Sequence, residues 1–380
     1  MTAGIYVHLP FCPYICPYCD FAKWRLREEP AARYLAALSR EIAASPALPG
    51  ATAFLGGGTP NAYPADDVAQ LVGALRERFA LPAGAEISVE MNPDVALSAG
   101  LDLYRAAGVT RLSIGAQSFE PTELRELGRR HAPGDVARLV RAARTAGFDN
   151  VSIDLMFGVP AQTVESWRRS LAHAIDLGVE HISTYGLTIE PDTPYARRYA
   201  RDPGAFADED LSADLYTLAM DVLTSAGYEQ YEISNFARPG FRCAHNANYW
   251  ANGDYLGLGV GAASYLGGER RTNTRALDAY IAAATEGRAI PAESERLVGI
   301  ARAGEAAMLA LRTDQGVDVR AFAERYAVDF LQMFGSVIAE MRSAGLLTAS
   351  DTHVALTRRG RLLANEACAA FIASPGTEAV

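Results

Sequence analysis

Cys12, Cys16 and Cys19 spell C-x3-C-x2-C near the start of the chain. A structural zinc or iron–sulfur site normally takes four protein ligands, so this triad is one thiolate short. Three thiolates on a four-iron cluster leave one iron open, and an open iron can bind a small molecule. Zinc is the alternative, with His8 or Asp20 as a fourth ligand; structural zinc prefers C-x2-C pairs, so the spacing favours iron–sulfur. Pro10, Pro13 and Pro17 flank the sulfurs, disfavour helix and keep the loop irregular.

Other residues could serve a ligand held there. Gly56-Gly57-Gly58-Thr59-Pro60 lets backbone approach a ligand closely and exposes N–H and C=O groups, though a tight turn would use the same residues. It lacks both Gly-rich phosphate-binding patterns. Glu90 and Asp154 sit in otherwise apolar runs, where a lone acid could also cap a helix or pair with an arginine. Gln117 could be a turn residue and Arg129 a surface cation. Taken together they offer acceptors for hydroxyls and an amine, and a cation for a carboxylate. A second cluster reads Cys243-Ala244-His245-Asn246-Ala247-Asn248-Tyr249-Trp250. It could be a hydrogen-bonded loop with a buried tryptophan, or a site with a ligating histidine and flat apolar walls.

These residues must be positioned by the elements around them. Six short apolar or β-branched runs recur at Ile5–Leu9, Thr52–Leu55, Glu86–Glu90, Thr110–Ile114, Val151–Met156 and His181–Leu187. Helical spacing fills about 29–45, 65–80, 97–107, 134–147, 163–177 and 207–226, with Gly108, Gly147, Gly178 and Gly227 suited to helix ends. This alternation predicts parallel βα units, either an open doubly wound sheet or a barrel, with ligands at the C-terminal ends of the strands. The chemically loaded residues fall at those ends. Three units are expected: 1–227, carrying the βα repeats; 228–296, with a Tyr228–Ile233 strand and an aromatic, Gly-rich stretch; and 297–372, mostly helical. In the last, a helix–hairpin–helix order resembles a small winged helix. Residues 301–380 hold eight Arg, no Lys and nine Asp plus Glu, so no basic stripe points to DNA. The last seven residues read as frayed.

Composition narrows the class further. The chain has 380 residues, a formal charge of −10, and a pI near 5.2. That is a globular composition that disfavours nucleic acid as a partner. No run approaches the ~20 apolar residues of a membrane span, and no secretory signal is evident. Five cysteines, three in one loop, argue against a disulfide framework and for a reducing compartment, the cytoplasm. Cys368, in an apolar helix, reads as inert.

Tyr6-x-His8-x-Pro10-Phe11-Cys12-x3-Cys16-x-Tyr18-Cys19 resembles the radical S-adenosylmethionine (SAM) superfamily. That resemblance implies a [4Fe-4S] cluster whose open iron chelates SAM and whose electron cleaves a C–S bond to give a 5′-deoxyadenosyl radical. Gly56–Pro60, Ser88-Val89-Glu90, Gly115-Ala116-Gln117-Ser118-Phe119, Gly128-Arg129 and Ile153-Asp154-Leu155-Met156-x-Gly158-x-Pro160 extend it to the oxygen-independent coproporphyrinogen III oxidase family, from residue 5 to about 366. The family implies a partial (β/α)6 TIM-like barrel with a C-terminal helical domain, and SAM contacts at Tyr6, Gly57, Gly58, Thr59, Glu90, Gln117, Arg129 and Asp154. Its porphyrinogen-oxidising branch has a further cysteine two residues after the third; here that residue is Phe21, which disfavours the decarboxylase activity. Its heme chaperone branch lacks that cysteine and carries H-N-x-x-Y-W, which matches His245–Trp250. The resemblance therefore implies heme bound through His245, Tyr249 and Trp250, with Cys243 an alternative ligand. It also implies apo-hemoprotein acceptors and an electron donor, and leaves productive SAM cleavage open.

Overall fold

A computed structural model of the chain describes residues 2–95 and 100–372. Six strands form its centre: β1 (Ala3–Leu9), β2 (Gly50–Gly57), β3 (Glu86–Met91), β4 (Arg111–Gln117), β5 (Val151–Phe157) and β6 (His181–Gly186). They lie side by side in chain order and all run parallel. Helices Glu28–Ala44, Ala65–Arg78, Leu101–Ala107, Pro133–Thr145 and Val164–Asp176 return the chain between them. Parallel pairing demands such crossovers. Side chains alternate along each strand. On β1, Ile5, Val7 and Leu9 are buried beneath the helices, while Gly4, Tyr6 and His8 face the lumen beside Thr52, Phe54 and Gly56 of β2.

The strands and helices stand where the alternation predicts, within a few residues. The helix expected over 97–107 begins at Leu101; residues 97–99 and the frayed tail lie outside the described residues. The Tyr228–Ile233 strand is shorter than expected, only Glu229–Gln230. The reason is competition: beyond Gln230 the backbone turns to the C-terminal unit, where Asp314 N–H donates to the Tyr231 carbonyl and Ile233 N–H to that of Arg312.

The stretch 228–296 extends the central sheet at both edges. β7 (Asn235–Ala237) runs antiparallel to β6, and β8 (Tyr255–Leu258) returns to pair in parallel with β1. From β8 the sheet continues antiparallel through β9 (Ala263–Leu266), β10 (Glu269–Asn273) and β11 (Ala292–Glu295); with Glu229–Gln230 paired antiparallel to β7 at the other edge, it has 12 strands among the described residues. Because β1 pairs with β8 and β6 with β7, the curved sheet stays a partial barrel. Helix Ala244–Trp250 fills its N-terminal mouth.

Residues 299–372 pack around a second core in which Phe330, Phe334 and Phe371 meet. Val317–Asp318 adds a third strand to the hairpin Leu347–Ala349/His353–Leu356, completing a winged-helix arrangement. Among the described residues no helix is long and apolar enough to cross a membrane.

Candidate functional site

The strand ends converge as parallel βα topology requires. A cavity of ≈ 510 Å³ opens at the C-terminal rim, and Cys12, Cys16 and Cys19 stand on its wall. Gly57, Gly58, Thr59, Glu90, Gln117, Arg129 and Asp154 line the same cavity. So ten of the eleven residues expected to hold cluster and SAM meet at one place. Tyr6 is the exception: it points into the lumen below this wall, its hydroxyl bonded to His8 Nδ1 at 2.9 Å.

None of the three cysteines is paired in a disulfide. Burial pushes the Cys12 thiol up to about 11, against a hydrogen bond from Thr59 that lowers it, and burial raises Cys19 as well. Iron would reverse that bias, since metal binding requires and stabilises the thiolate. One of the two fourth ligands proposed for zinc is already committed. His8 has its nitrogens committed to Tyr6 and to the Ala22 carbonyl, the latter at 2.7 Å. Asp20 is half-exposed at the cavity rim, 3.7 Å from Arg275. Among the described residues no compact group of three Cys, His, Asp or Glu side chains surrounds a point for a single metal ion. Three half-buried thiols around an open cavity suit a cluster that keeps one iron free.

Arg129 braces the loop from behind. Its Nη2 donates to the Gly115 carbonyl at 2.7 Å and to Asn92 Oδ1 at 2.9 Å, and its Nη1 lies 3.8 Å from Cys16 Sγ. Its Nε is buried and without a partner, an unused donor beside the sulfurs. Gln117 is presented by strain: a register shift between Gly115 and Gln117 leaves it at φ +64°, a left-handed conformation that non-glycine residues rarely adopt and that clusters at functional sites.

The two acids are held differently. Glu90 accepts from the Gly57 N–H at 2.9 Å, while desolvation and the nearby Asp154 charge push its carboxyl up to about 7. Asp154 accepts from Ser113 at 3.2 Å and from Ser152 at 3.5 Å, and burial raises its pKa too. Gly57 has φ +94°, and a Cβ there would strike the His8 ring and come within 2.8 Å of the Tyr6 hydroxyl. Only glycine lets that N–H turn to Glu90.

The mouth is apolar. Ile15 is 42% exposed, Phe21 63% and Tyr185 40%, with Met156 and Leu187 further in. The expected ligand set omitted this rim and also Ser113 and Asn92. Ser113 was accessible to period-two reasoning, because it shares the lumen face with Asp154; Ile15 and Phe21 sit in a loop without periodicity.

The second cluster lies at the opposite mouth. Glu86, the first residue of β3, caps helix Ala244–Trp250 by accepting from the Ala244 and His245 N–H groups, both at 3.0 Å. His245 is 1% exposed. Its Nδ1 bonds Thr52 Oγ1 at 2.8 Å, its Nε2 bonds the Tyr249 hydroxyl at 2.8 Å, and its ring stacks on Phe54. Burial, then the Arg111 charge, hold its imidazole down at about 3. Cys243 is fully buried with its thiol pushed up to about 12, its Sγ donating to Glu86 at 3.4 Å. Trp250 carries Arg312 over its ring at 5.4 Å. Cys368 lies buried in the C-terminal core.

Residues 6–174 match the radical SAM superfamily and residues 299–363 the HemN C-terminal domain. A Bacillus subtilis protein named heme chaperone HemW is 36% identical over 373 residues, covering 97% of this chain and 98% of that one. A Mycobacterium tuberculosis protein of the same name is 37% identical over 372 residues, covering 95% and 93%. The solved coproporphyrinogen III oxidase HemN of Escherichia coli, described as a radical SAM enzyme, superposes with a TM-score of 0.86 at 27% identity, over 98% of this chain and 91% of its own.

Proposed function

The chain belongs to the HemW family of radical SAM proteins, and from that premise we propose that it is a heme chaperone of the cytoplasm. It would bind a [4Fe-4S] cluster through Cys12, Cys16 and Cys19, bind SAM, take up heme and pass it to apo-hemoproteins, with a separate electron donor serving the cluster. Near-complete coverage of relatives named heme chaperone HemW carries this reading.

When bound, the cluster would supply an open iron for the amino and carboxylate groups of SAM and one electron. The protein's own groups do the rest. The Gly57–Thr59 backbone and Glu90 face the amine, Arg129 the carboxylate side, and Gln117 and Asp154 the ribose hydroxyls. Exposed Phe21 stands at the mouth, at the position where the family resemblance implies a cysteine in the porphyrinogen-oxidising branch; a phenyl ring neither gives nor takes a proton. That disfavours the rival reading, radical decarboxylation of coproporphyrinogen III, despite the likeness to HemN.

Hemin titration tests the reading. Wild-type protein is expected to bind hemin with a Kd at or below about 1 µM and to surrender it to an apo-hemoprotein. No saturable binding, or protoporphyrinogen formed anaerobically with cluster, SAM and reductant, would overturn it.

The acid pair adds a pH signature. The amine of SAM that would sit on iron is neutral, and its N–H donates more strongly to an ionised Glu90 than to a protonated one, yet free protein holds the Glu90 proton up to about 7. Binding therefore expels a proton below that pH. The Glu90 proton alone should lower SAM affinity about fivefold from pH 7 to pH 6 and approach tenfold per unit below, and the ammonium proton lost on chelation adds to that fall. Glu90→Gln should bind more weakly with a shallower profile, because chelation still displaces the ammonium proton of free SAM; calorimetric titration at three pH values decides.

A further inference from the structure

Lys23 is the only lysine among the 380 residues; the chain's other permanent cations are arginines. It stands on the wall of the rim cavity with Cys12, Cys16 and Cys19. The backbone fixes where its side chain starts. Trp24 N–H donates to the Pro10 carbonyl at 2.9 Å and Leu26 N–H to that of Cys12 at 2.7 Å, so Phe11–Cys12 and Trp24–Arg25 close the base of the cysteine loop as a short parallel pair. From that base Lys23 reaches back across the loop. Its Nζ donates to the Cys19 carbonyl and, at 3.2 Å, to the Phe21 carbonyl. A compact ammonium with rotatable donors suits two carbonyls so close in the chain better than a planar guanidinium fork does.

Each thiol of the loop has its own polar neighbour. Cys12 takes a hydrogen bond from Thr59, Cys16 has Arg129 Nη1 at 3.8 Å, and Cys19 has Lys23. Burial raises the Cys19 thiol; the Phe21 N–H and then the Lys23 charge oppose it. No carboxylate neutralises that charge. Among the described residues Lys23 forms no ion pair, and Asp20, the acid next to Cys19, is held by Arg275 at 3.7 Å. Two cations therefore flank the sulfurs, Arg129 from behind and Lys23 from the Phe21 side.

Resting on the cluster assignment within the proposed function, we infer that Lys23 is a positioning residue that sets the redox poise of the cluster: its ammonium holds the turn carrying Cys19 and favours the reduced, more negative state. Reduction adds one electron, drawn from a low-potential one-electron donor, and no proton. The added charge falls on a centre that its thiolates already make anionic. A fixed positive charge nearby lowers the free energy of the reduced state more than that of the oxidised one. The effect is Coulombic, so it survives a substitution that keeps the charge and fades as salt screens it. Arg129 offers no such clean test, because it also braces the Gly115 carbonyl and Asn92.

Three variants separate charge from clamp. Lys23→Gln keeps a donor and removes the charge, Lys23→Arg keeps the charge, and Lys23→Met keeps neither. Each is reconstituted, assayed for iron and sulfide, and titrated with dithionite in the presence of mediators while the paramagnetic resonance of the reduced cluster is followed. Lys23→Gln is expected to load its cluster as wild type does and, at a fixed potential, to hold about fivefold less of it reduced. Raising the salt from about 0.05 M to 0.5 M should narrow that gap. Lys23→Arg should match wild type. Lys23→Met should match Lys23→Gln in midpoint and lose iron faster to a chelator. A merely structural clamp would change iron content and leave the midpoint alone. If Lys23→Gln loads no cluster, the same titration decides on reconstituted wild type acetylated at its single lysine, which removes the charge after loading. An unchanged midpoint on loss of the charge, or Lys23→Arg matching Lys23→Gln, overturns the inference and leaves the chaperone reading standing. Wild-type protein that takes up no cluster overturns the cluster assignment itself.

Discussion

Cys16→Ser protein is expected to purify folded and to hold no [4Fe-4S] cluster. Cys16 sits half-buried in an irregular loop, where its Sγ lies 3.8 Å from Arg129 Nη1 and also meets the Tyr18 hydroxyl. Exchange of sulfur for oxygen there costs less than about 1 kcal/mol of stability, as for other substitutions outside the core. The effect on the site is all-or-none. Serine's hydroxyl does not ionise near neutral pH, and two thiolates cannot carry a cluster that already lacks a fourth. Reconstituted wild-type protein should carry about four irons and four sulfides per chain; the variant should carry almost none, lose the broad visible absorption, and lose SAM binding by at least ~100-fold, because the iron that receives SAM is gone. Cys368→Ser, altered in the separate C-terminal core, should keep its cluster. A Cys16→Ser protein with full iron and sulfide content would overturn the assignment of the triad.

The second large effect belongs to Gly58. A Cβ at this position would fall on the Leu9 carbonyl oxygen and 2.8 Å from the Pro10 carbonyl carbon. Both are backbone atoms, so no rotamer change relieves the collision. Leu9 and Pro10 are the segment by which β1 hands the chain to the cysteine loop. Gly58→Ala must push that loop outward or hold β2 away from β1. Overpacking of this kind typically costs 1–3 kcal/mol, which lowers the melting temperature by roughly 2–10 °C for domains of ordinary size. The functional loss should exceed the stability loss, because a loop shifted by an ångström spoils the convergence of three sulfurs and the Gly57–Thr59 backbone. The expected result is a folded protein with poor cluster occupancy and SAM binding reduced at least ~100-fold. Gly73→Ala is the matched control, since a Cβ there meets nothing within 4 Å. Equal cluster content and SAM affinity in Gly58→Ala and wild type would show that the close approach does not matter.

The rim was legible because parallel βα units tie chemistry to one end of each strand. Glu90, Gln117 and Asp154 could be placed together from spacing alone, with no knowledge of their contacts. Depth along the strand was harder to read. Tyr6 has the right face but lies two residues below His8, so it supports the wall instead of forming it. The opposite mouth was least legible. Its helix is held by Glu86, whose partners Ala244 and His245 lie 158 and 159 residues away, and no local pattern encodes so distant a cap. The parallel pairing of β8 with β1 is equally non-local. The His245–Trp250 motif was visible as a string of residues, but its position at the far end of the lumen was not.

Tyr6 stands between the rim cavity and a smaller one, ≈ 340 Å³, where the opposite mouth meets the C-terminal unit. Its hydroxyl lies under Gly57, on the cluster side, while its ring lines the smaller cavity. An occupant of the smaller cavity, which Tyr6 lines with Tyr249, Tyr255 and Tyr265, touches that ring directly, whereas an occupant of the rim cavity reaches it only through Gly57 and His8. Any free energy exchanged through that ring is symmetrical: if SAM alters the hold on an occupant of the smaller cavity by some factor, that occupant must alter the hold on SAM by the same factor. Loading and release would then be two readings of a single coupling constant, measurable from either end.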